Sequence, residues 1–205
     1  MLGARTTIII TIIAVAVGLV LSFFLALGKM SKNPLLNKPC SAYIFFFRGT
    51  PLLIQIYFIY FGLPQFNPAL TIKSAFVAAL IAYTLNSAAY LAENIRAGIQ
   101  SIDKGQYEAA KALGMTYRQT MQLIILPQTV RRLIPPVGNE FIMVLKDVSL
   151  VAIIGLSDLT KVTRAISSSQ ATALVYIPAM VIYLIITAFF SFIFNRMEKK
   201  YSVYE

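Results

Sequence analysis

The chain contains no histidine and one cysteine among its 205 residues, and only 13% of it is charged. Without histidine, His-based catalysis and imidazole-held metal centres have no material to work with, so no catalytic and no metal-ligating residues are expected. The single thiol, Cys40, has no partner for an intrachain disulfide and lies in a segment assigned below to the cytoplasmic side, where none is expected. No G-x-x-x-x-G-K-[ST] phosphate loop occurs anywhere, which leaves any ATP chemistry to another chain. Acidic residues are scarce as well: eight Asp and Glu stand against 18 Lys and Arg, a formal net charge of +10. In a soluble protein that excess would suggest nucleic acid. Here the basic residues are spread among the ends of apolar runs rather than massed on one face, so no nucleic acid partner is expected.

What the chain does have is apolar length. It is 58% hydrophobic with a mean hydropathy of +0.74, far to the apolar side of a soluble domain. Uncharged stretches cover 6–28, 50–72, 74–92 and 165–195, each near or beyond the roughly 20 helical residues that cross a bilayer. A further region, about 133–157, is long enough but carries Glu140, Lys146 and Asp147. The expectation is an all-α membrane protein, a single transmembrane domain over 1–205. Its five spans are expected at about 6–28, 50–63, 74–98, 133–157 and 171–195. The first apolar run exceeds the 7–15 residues of a signal-peptide core and is followed by lysines, which favours a retained helix over a cleaved leader.

The basic residues then orient the bundle. With the N-terminus outside, segments 29–48, 93–132 and 196–205 face the cytoplasm and hold most of the lysines and arginines. Only Arg5, Lys73, Lys161 and Arg164 fall on the opposite side. The positive-inside rule therefore predicts a multi-pass cell-membrane protein with its N-terminus outside and its C-terminus cytoplasmic.

The connections carry their own signals. Pro34 and Pro39 punctuate the basic connection after the first span, and "RGTP" at 48–51 reads as a helix start, with Thr50 as cap and Pro51 in the first turn. Pro127, Pro135 and Pro136 predict kinked pieces ahead of the fourth span. In between, "KGQYEAAKALGMTYRQTMQLIILPQTVRRLIPP" interrupts the apolar pattern. Asp103 and Gly105 can start a short helix that Gly114 ends by taking the left-handed conformation. Some ten residues form a marginal helix that needs a groove to lie in. Ala109 and Ala110 offer close approach, and Glu108 and Lys111 offer polar contacts; a solvated loop helix without a partner is the alternative.

Polar residues inside the spans mark candidate functional positions. Asn86, Tyr90 and Glu93 recur on one stripe of the third span, while Asn139, Glu140, Met143 and Asp147 share a stripe of the fourth. With Thr50 and Gln55 at the start of span two, and Asp158 near the mouth, these predict a polar cavity. Lys146 and Asp147 could instead pair with each other, and Glu93 with Arg96. A carboxylate at the position of Glu140 is best compensated by a cation, which favours a substrate with a basic side chain such as arginine, lysine or histidine.

Glu108-Ala109-Ala110, three residues, Gly114, nine residues, Ile124, one residue and Leu126-Pro127 reproduce the EAA loop of binding-protein-dependent ABC importer permeases at full spacing. "RGTPLLIQIYFIYFGLP" and "ILPQTVRRLIPPVGNEFIMVLKDVSLVAIIGL" resemble the polar amino acid branch, the histidine, glutamine and arginine type, and the likeness covers nearly the whole chain. The resemblance implies a dimeric five-helix permease, with a second copy or a related permease. Its cytoplasmic coupling helix, at about 104–114, seats in an ABC ATPase subunit through Glu108, Ala109, Ala110, Lys111 and Gly114. It also implies an extracytoplasmic binding protein that delivers a polar amino acid, and ATP and magnesium held by the partner ATPase with no cofactor in this chain. An ion-gradient-driven carrier or channel is the alternative class, since buried carboxylates serve ion coupling too.

Overall fold

A computed structural model describes residues 2–201. Positions 1 and 202–205, which include the end of the basic 196–205 segment, lie outside the described residues. The first helix, α1 (Leu2–Met30), is 29 residues long, about 43 Å at 1.5 Å per residue. After Ser31 and Lys32, Asn33 accepts the amide hydrogen of Leu35 at 2.9 Å and caps α2 (Pro34–Gly49), with Pro34 in the first turn where its missing N–H is harmless. The basic connection is thus itself helical, with Pro34 in the first turn of α2 and Pro39 carried inside the helix.

At Thr50 and Pro51 the chain turns by 106° into Leu52–Phe66. That stretch comprises α3 (Leu52–Tyr57), a π turn at Phe58–Gly62 and α4 (Leu63–Phe66). Pro51 forces the extended conformation on Thr50 (φ −117°, ψ 145°), and this breaks the helix. Thr50 does not cap α3: its hydroxyl donates back to the Phe46 carbonyl at 2.8 Å, closing α2 instead.

Ser74 caps α5 (Ala75–Gln100), the central element. Ala78, Ala79, Ala82, Ala88, Ala89 and Ala92 are all almost completely buried, and this small-residue face lets α1 lie close along α5. Next come α6 (Lys104–Ala112) and α7 (Tyr117–Thr120), the latter opened by a capping box between Thr116 and Gln119. A π turn at Met121–Ile125 leads into α8 (Leu126–Asp147). Pro135 and Pro136 lie inside one 22-residue helix that starts before position 133 and follows the short α7 and a π turn. Prolines are tolerated inside membrane helices where neighbours re-satisfy the freed backbone groups. Pro127 occupies the first turn, and Gln128 and Thr129 donate to the Ile124 and Ile125 carbonyls at 2.9 and 2.8 Å.

A 3₁₀ segment, Val148–Ile154, ends at left-handed Gly155, and Asp158 then starts α9 (Leu159–Gln170). The last helix, α10 (Tyr176–Tyr201), packs on α8 through Phe141, whose ring centroid lies 4.6 Å from that of Phe190 and 5.5 Å from that of Phe194. Gly138 sits in the same seam; a Cβ there would come 2.8 Å from Phe194 Cγ. Elsewhere α10 exposes its apolar side chains, Leu184, Phe189 and Phe192 among them, each more than half exposed. Such a surface suits lipid rather than water. Among the described residues three helical stretches are long and apolar enough to cross a bilayer, Gly3–Met30, Ala75–Gln100 and Ala173–Tyr201, with a fourth if the bent pair Pro34–Gly49 and Leu52–Phe66 counts as one span.

Candidate functional site

The elbow between α2 and α3, together with α5 and α8, encloses a cavity of ≈ 360 Å³. Each wall follows from helical spacing. On α5, Asn86 and Tyr90 are one turn apart, and on α8, Glu140, Met143 and Asp147 fall at i, i+3 and i+7, so each set shares a face. The elbow adds Arg48 and Thr50.

Charge is distributed unevenly across this space. Glu140 is 6% exposed and forms no ion pair among the described residues, while Asp147 is exposed to the cavity one face-repeat further on. The Arg48 guanidinium carbon stands 5.3 Å from the centre of the Tyr90 ring, a cation–π distance. The lining therefore carries both signs of charge, Glu140 and Asp147 from α8 and Arg48 from the end of α2. The Tyr83 hydroxyl, on a side chain only 1% exposed, donates to the Asp147 carbonyl at 2.5 Å and holds the end of α8 in place. A second cavity of ≈ 310 Å³, lined by Lys29, Ser41, Phe45, Arg48 and Tyr90, shares Arg48 and Tyr90 with the first.

Of the residues expected to line the site, Thr50, Asn86, Tyr90, Glu140 and Met143 meet at this cavity. Gln55 stands behind it, 5% exposed, donating to the Phe47 and Thr50 carbonyls at 2.9 and 3.0 Å. Asn139 is exposed on another face of α8. Glu93 lies two turns below Asn86, bound by Lys29 at 2.8 Å and by Arg96. Asp158 is fully buried as the cap of α9, accepting the amide hydrogens of Thr160 and Lys161, each at 2.9 Å. Arg48 was not singled out from the sequence, where it reads as one more basic flank of a span; its nearness to Tyr90 depends on the 106° bend. Among the described residues no cluster of three or more His, Cys, Asp or Glu could hold a metal.

The short helix α6 is built separately. Asp103 caps it by accepting from the Gly105 amide, and Gly114 (φ +75°) ends it. Gly114 N donates to the Lys111 carbonyl at 3.0 Å and Met115 N to the Ala110 carbonyl at 3.0 Å, the paired bonds of a Schellman end. Glu108, Ala109, Lys111 and Gly114 are exposed, whereas Ala110 is 1% exposed and faces its own chain. Tyr107 packs against Ile95, Ile99, Ile102 and Ile125 and seats the helix on the bundle, and burial pushes its phenol pKa upward, with the nearby Tyr117 adding to the effect. Leu113 and Tyr117, beside the helix end, are 81% and 75% exposed. Neither residue belongs to the fixed positions of the loop signature.

The family described as binding-protein-dependent transport system inner membrane component matches residues 18–203. The chain is 39% identical over 203 residues to a probable amino-acid ABC transporter permease protein, YckA, of Bacillus subtilis (strain 168), covering 98% of this chain and 88% of that one. It is 37% identical over 202 residues to the glutamine transport system permease protein GlnP of Escherichia coli (strain K12), covering 98% and 92%. A crystal structure of an amino acid ABC transporter with histidines superposes with a TM-score of 0.90 at 42% identity, over 97% of this chain and 92% of that one. These likenesses extend over nearly the whole bundle, the cavity walls and α6 included. The chain belongs to the binding-protein-dependent transport system inner membrane component family, as a membrane-embedded permease subunit and not an enzyme.

Proposed function

We propose that this chain forms the translocation pathway of an ATP-driven importer of amino acids with cationic side chains, arginine, lysine or histidine, working as a dimer with a second permease copy or a related permease. The observation that carries the specificity is Glu140: a buried carboxylate with no ion pair among the described residues, lining with Asp147 a cavity that Arg48 also lines. A free amino acid is a zwitterion, and burying either charge unpaired costs several kcal/mol, in the range of about 2–7 for polar groups and more for ions. Arg48 suits the α-carboxylate, and Glu140 and Asp147 suit cationic donors. Asn86, Tyr90 and Met143 shape the walls, Thr50 belongs to the elbow wall, and Gln55 supports that wall from behind. Asn139, Glu93 and Asp158 serve the frame in this reading.

The α6 helix is the lever. It faces the cytoplasm, with the N-terminus of the chain outside and the C-terminus inside, and Glu108, Ala109, Lys111 and Gly114 meet a separate ATPase that binds ATP and magnesium. Ala110 fits the lever to its own bundle. An extracytoplasmic binding protein supplies the substrate. Closure of the ATPase pair moves α6 and opens the cavity alternately to each side, biased by affinities that differ between the two states. A relative of this chain transports glutamine, and another octopine; the cationic preference is therefore a property to be measured. The test is uptake into vesicles holding the permease–ATPase complex. With ATP and no ion gradient, arginine enters and glutamine competes weakly; uptake that follows an ion gradient and ignores ATP overturns the proposal in favour of a gradient-driven carrier.

A further inference from the structure

The 106° break at Thr50 and Pro51 leaves the last carbonyls of α2 without helical donors. Three of the resulting acceptors are met by side chains. The Phe46 carbonyl receives the Thr50 hydroxyl at 2.8 Å. The Phe47 carbonyl receives both Gln55 Nε2 at 2.9 Å and Asn86 Nδ2 at 3.1 Å, and the Thr50 carbonyl receives Gln55 Nε2 at 3.0 Å. Carbonyls only accept. The Gln55 atom that faces two of them must therefore be its amino group, which directs Oε1 toward Asn86. Asn86 Nδ2 donates to that oxygen at 2.9 Å.

Both amide hydrogens of Asn86 are thereby committed to oxygens outside the cavity, and its carbonyl oxygen is the only amide atom left for a ligand. The Thr50 hydroxyl donates to Phe46, and its oxygen lies 2.8 Å from Gln55 Nε2, whose two hydrogens are shared among it and the Phe47 and Thr50 carbonyls. What Asn86 shows the cavity is thus an acceptor, in the same lining as the carboxylates of Glu140 and Asp147.

We infer that Gln55 is a specificity-determining residue acting at one remove: by fixing the direction of the Asn86 amide, it makes that part of the cavity acceptor-only and so selects a donor-rich cationic side chain over a neutral amide or urea. The inference rests on the reading of the Glu140 cavity as the substrate site. It gives Gln55 a role without substrate contact, and it traces the polarity of the site to the broken helix. A neutral carboxamide has a carbonyl oxygen that must find a donor when buried; an Asn86 free to turn over could supply one, and the Asn86 held by Gln55 cannot.

The test compares arginine with citrulline, its uncharged ureido isostere, by competition binding to the purified permease–ATPase complex. Wild type prefers arginine. Gln55→Met keeps length and loses the acceptor that faces Asn86, and the arginine-to-citrulline affinity ratio falls by about tenfold, the size of one well-made polar contact. Gln55→Glu keeps an oxygen for Asn86 and adds a negative charge behind the cavity, so its ratio stays at or above the wild-type value although it disturbs the elbow as much as methionine does; a merely structural role for Gln55 predicts a fall in both variants. Asn86→Ala removes the acceptor itself and lowers the ratio at least as far as Gln55→Met, which keeps the inference testable if the methionine variant does not assemble. A ratio untouched in Gln55→Met or in Asn86→Ala overturns this inference alone. A wild type with no preference for arginine overturns it together with the proposed substrate class.

Discussion

Lys29 Nζ lies 2.8 Å from Glu93 Oε2, while the other oxygen of Glu93 is held by Arg96, so one carboxylate ties the end of α1 to the last turns of α5. The three side chains are partly exposed, between 19% and 29%. Glu93→Gln leaves two cations facing a neutral amide, and a pair of this exposure is worth about 1 kcal/mol or less. The expected outcome is a small drop in the thermal midpoint of the complex, reduced further at high salt, with the arginine-to-glutamine uptake ratio unchanged. A shift in that ratio would return Glu93 to the substrate path.

The end of α6 depends on Gly114. Its φ of +75° lies in the left-handed region, and a Cβ there would meet nothing within 4 Å, so the penalty of substitution is purely one of backbone conformation. Gly114→Val therefore costs about 1–2 kcal/mol at the helix end and frays the lever. Gly114→Asn, which tolerates that conformation, costs much less. Substrate-stimulated ATP hydrolysis and uptake, measured together in vesicles, should separate in the valine variant, with residual hydrolysis no longer matched by uptake. Unchanged coupling in Gly114→Val would contradict the lever.

Leu113 and Tyr117 are too exposed to hold their own chain together. Tyr117→Ala should weaken association of the permease with its ATPase by about tenfold or more if the ring fills a pocket in the partner, since aromatic anchors dominate interface energies. Its effect on the thermal stability of the isolated permease should be slight. Size-exclusion recovery of the complex across a concentration series reads the first quantity, and thermal unfolding in detergent reads the second.

Gly138 sets the distance between α8 and α10. Because the ring of Phe194 would lie 2.8 Å from a new Cβ, Gly138→Leu forces the two helices apart or pushes that ring off its rotamer. Overpacking of this kind costs about 1–3 kcal/mol. Thermal unfolding of the detergent-solubilised complex should show the loss, and Gly138→Leu combined with Phe194→Ala should recover part of it.

Much of this arrangement was legible in the sequence, and the parts that were not have a common cause. The cap at Asp103, the left-handed Gly114 and the i, i+4 pairing of Asn86 with Tyr90 are local facts, set by residue type and helical period. The convergence of Thr50, Asn86, Tyr90, Glu140 and Met143 followed from the polar stripes of the longer helices. Where the reading went astray, a tertiary partner decided the outcome. Pro34 and Pro39 looked like loop punctuation, yet Pro34 fits the first turn of α2 and Pro39 is carried inside it, and Pro135 and Pro136 are carried within α8. The 106° elbow could not be read from "RGTP" alone, and with it went the place of Arg48 beside Tyr90 and the role of Gln55 as a strut behind the cavity. Asp158 and Glu93 resembled substrate ligands because a carboxylate in an apolar run has the same appearance whether it binds cargo, caps a helix or meets a lysine from another span.

The most direct measurement of the central claim is arginine and glutamine transport by the Glu140→Gln variant in vesicles containing the complete importer. The substitution keeps the shape of a side chain that is 6% exposed and removes only its charge. The account predicts that arginine uptake falls by at least about tenfold relative to glutamine, as expected for a charged group that loses its buried counter-ion. Equal losses for the two substrates, or none for either, would contradict it.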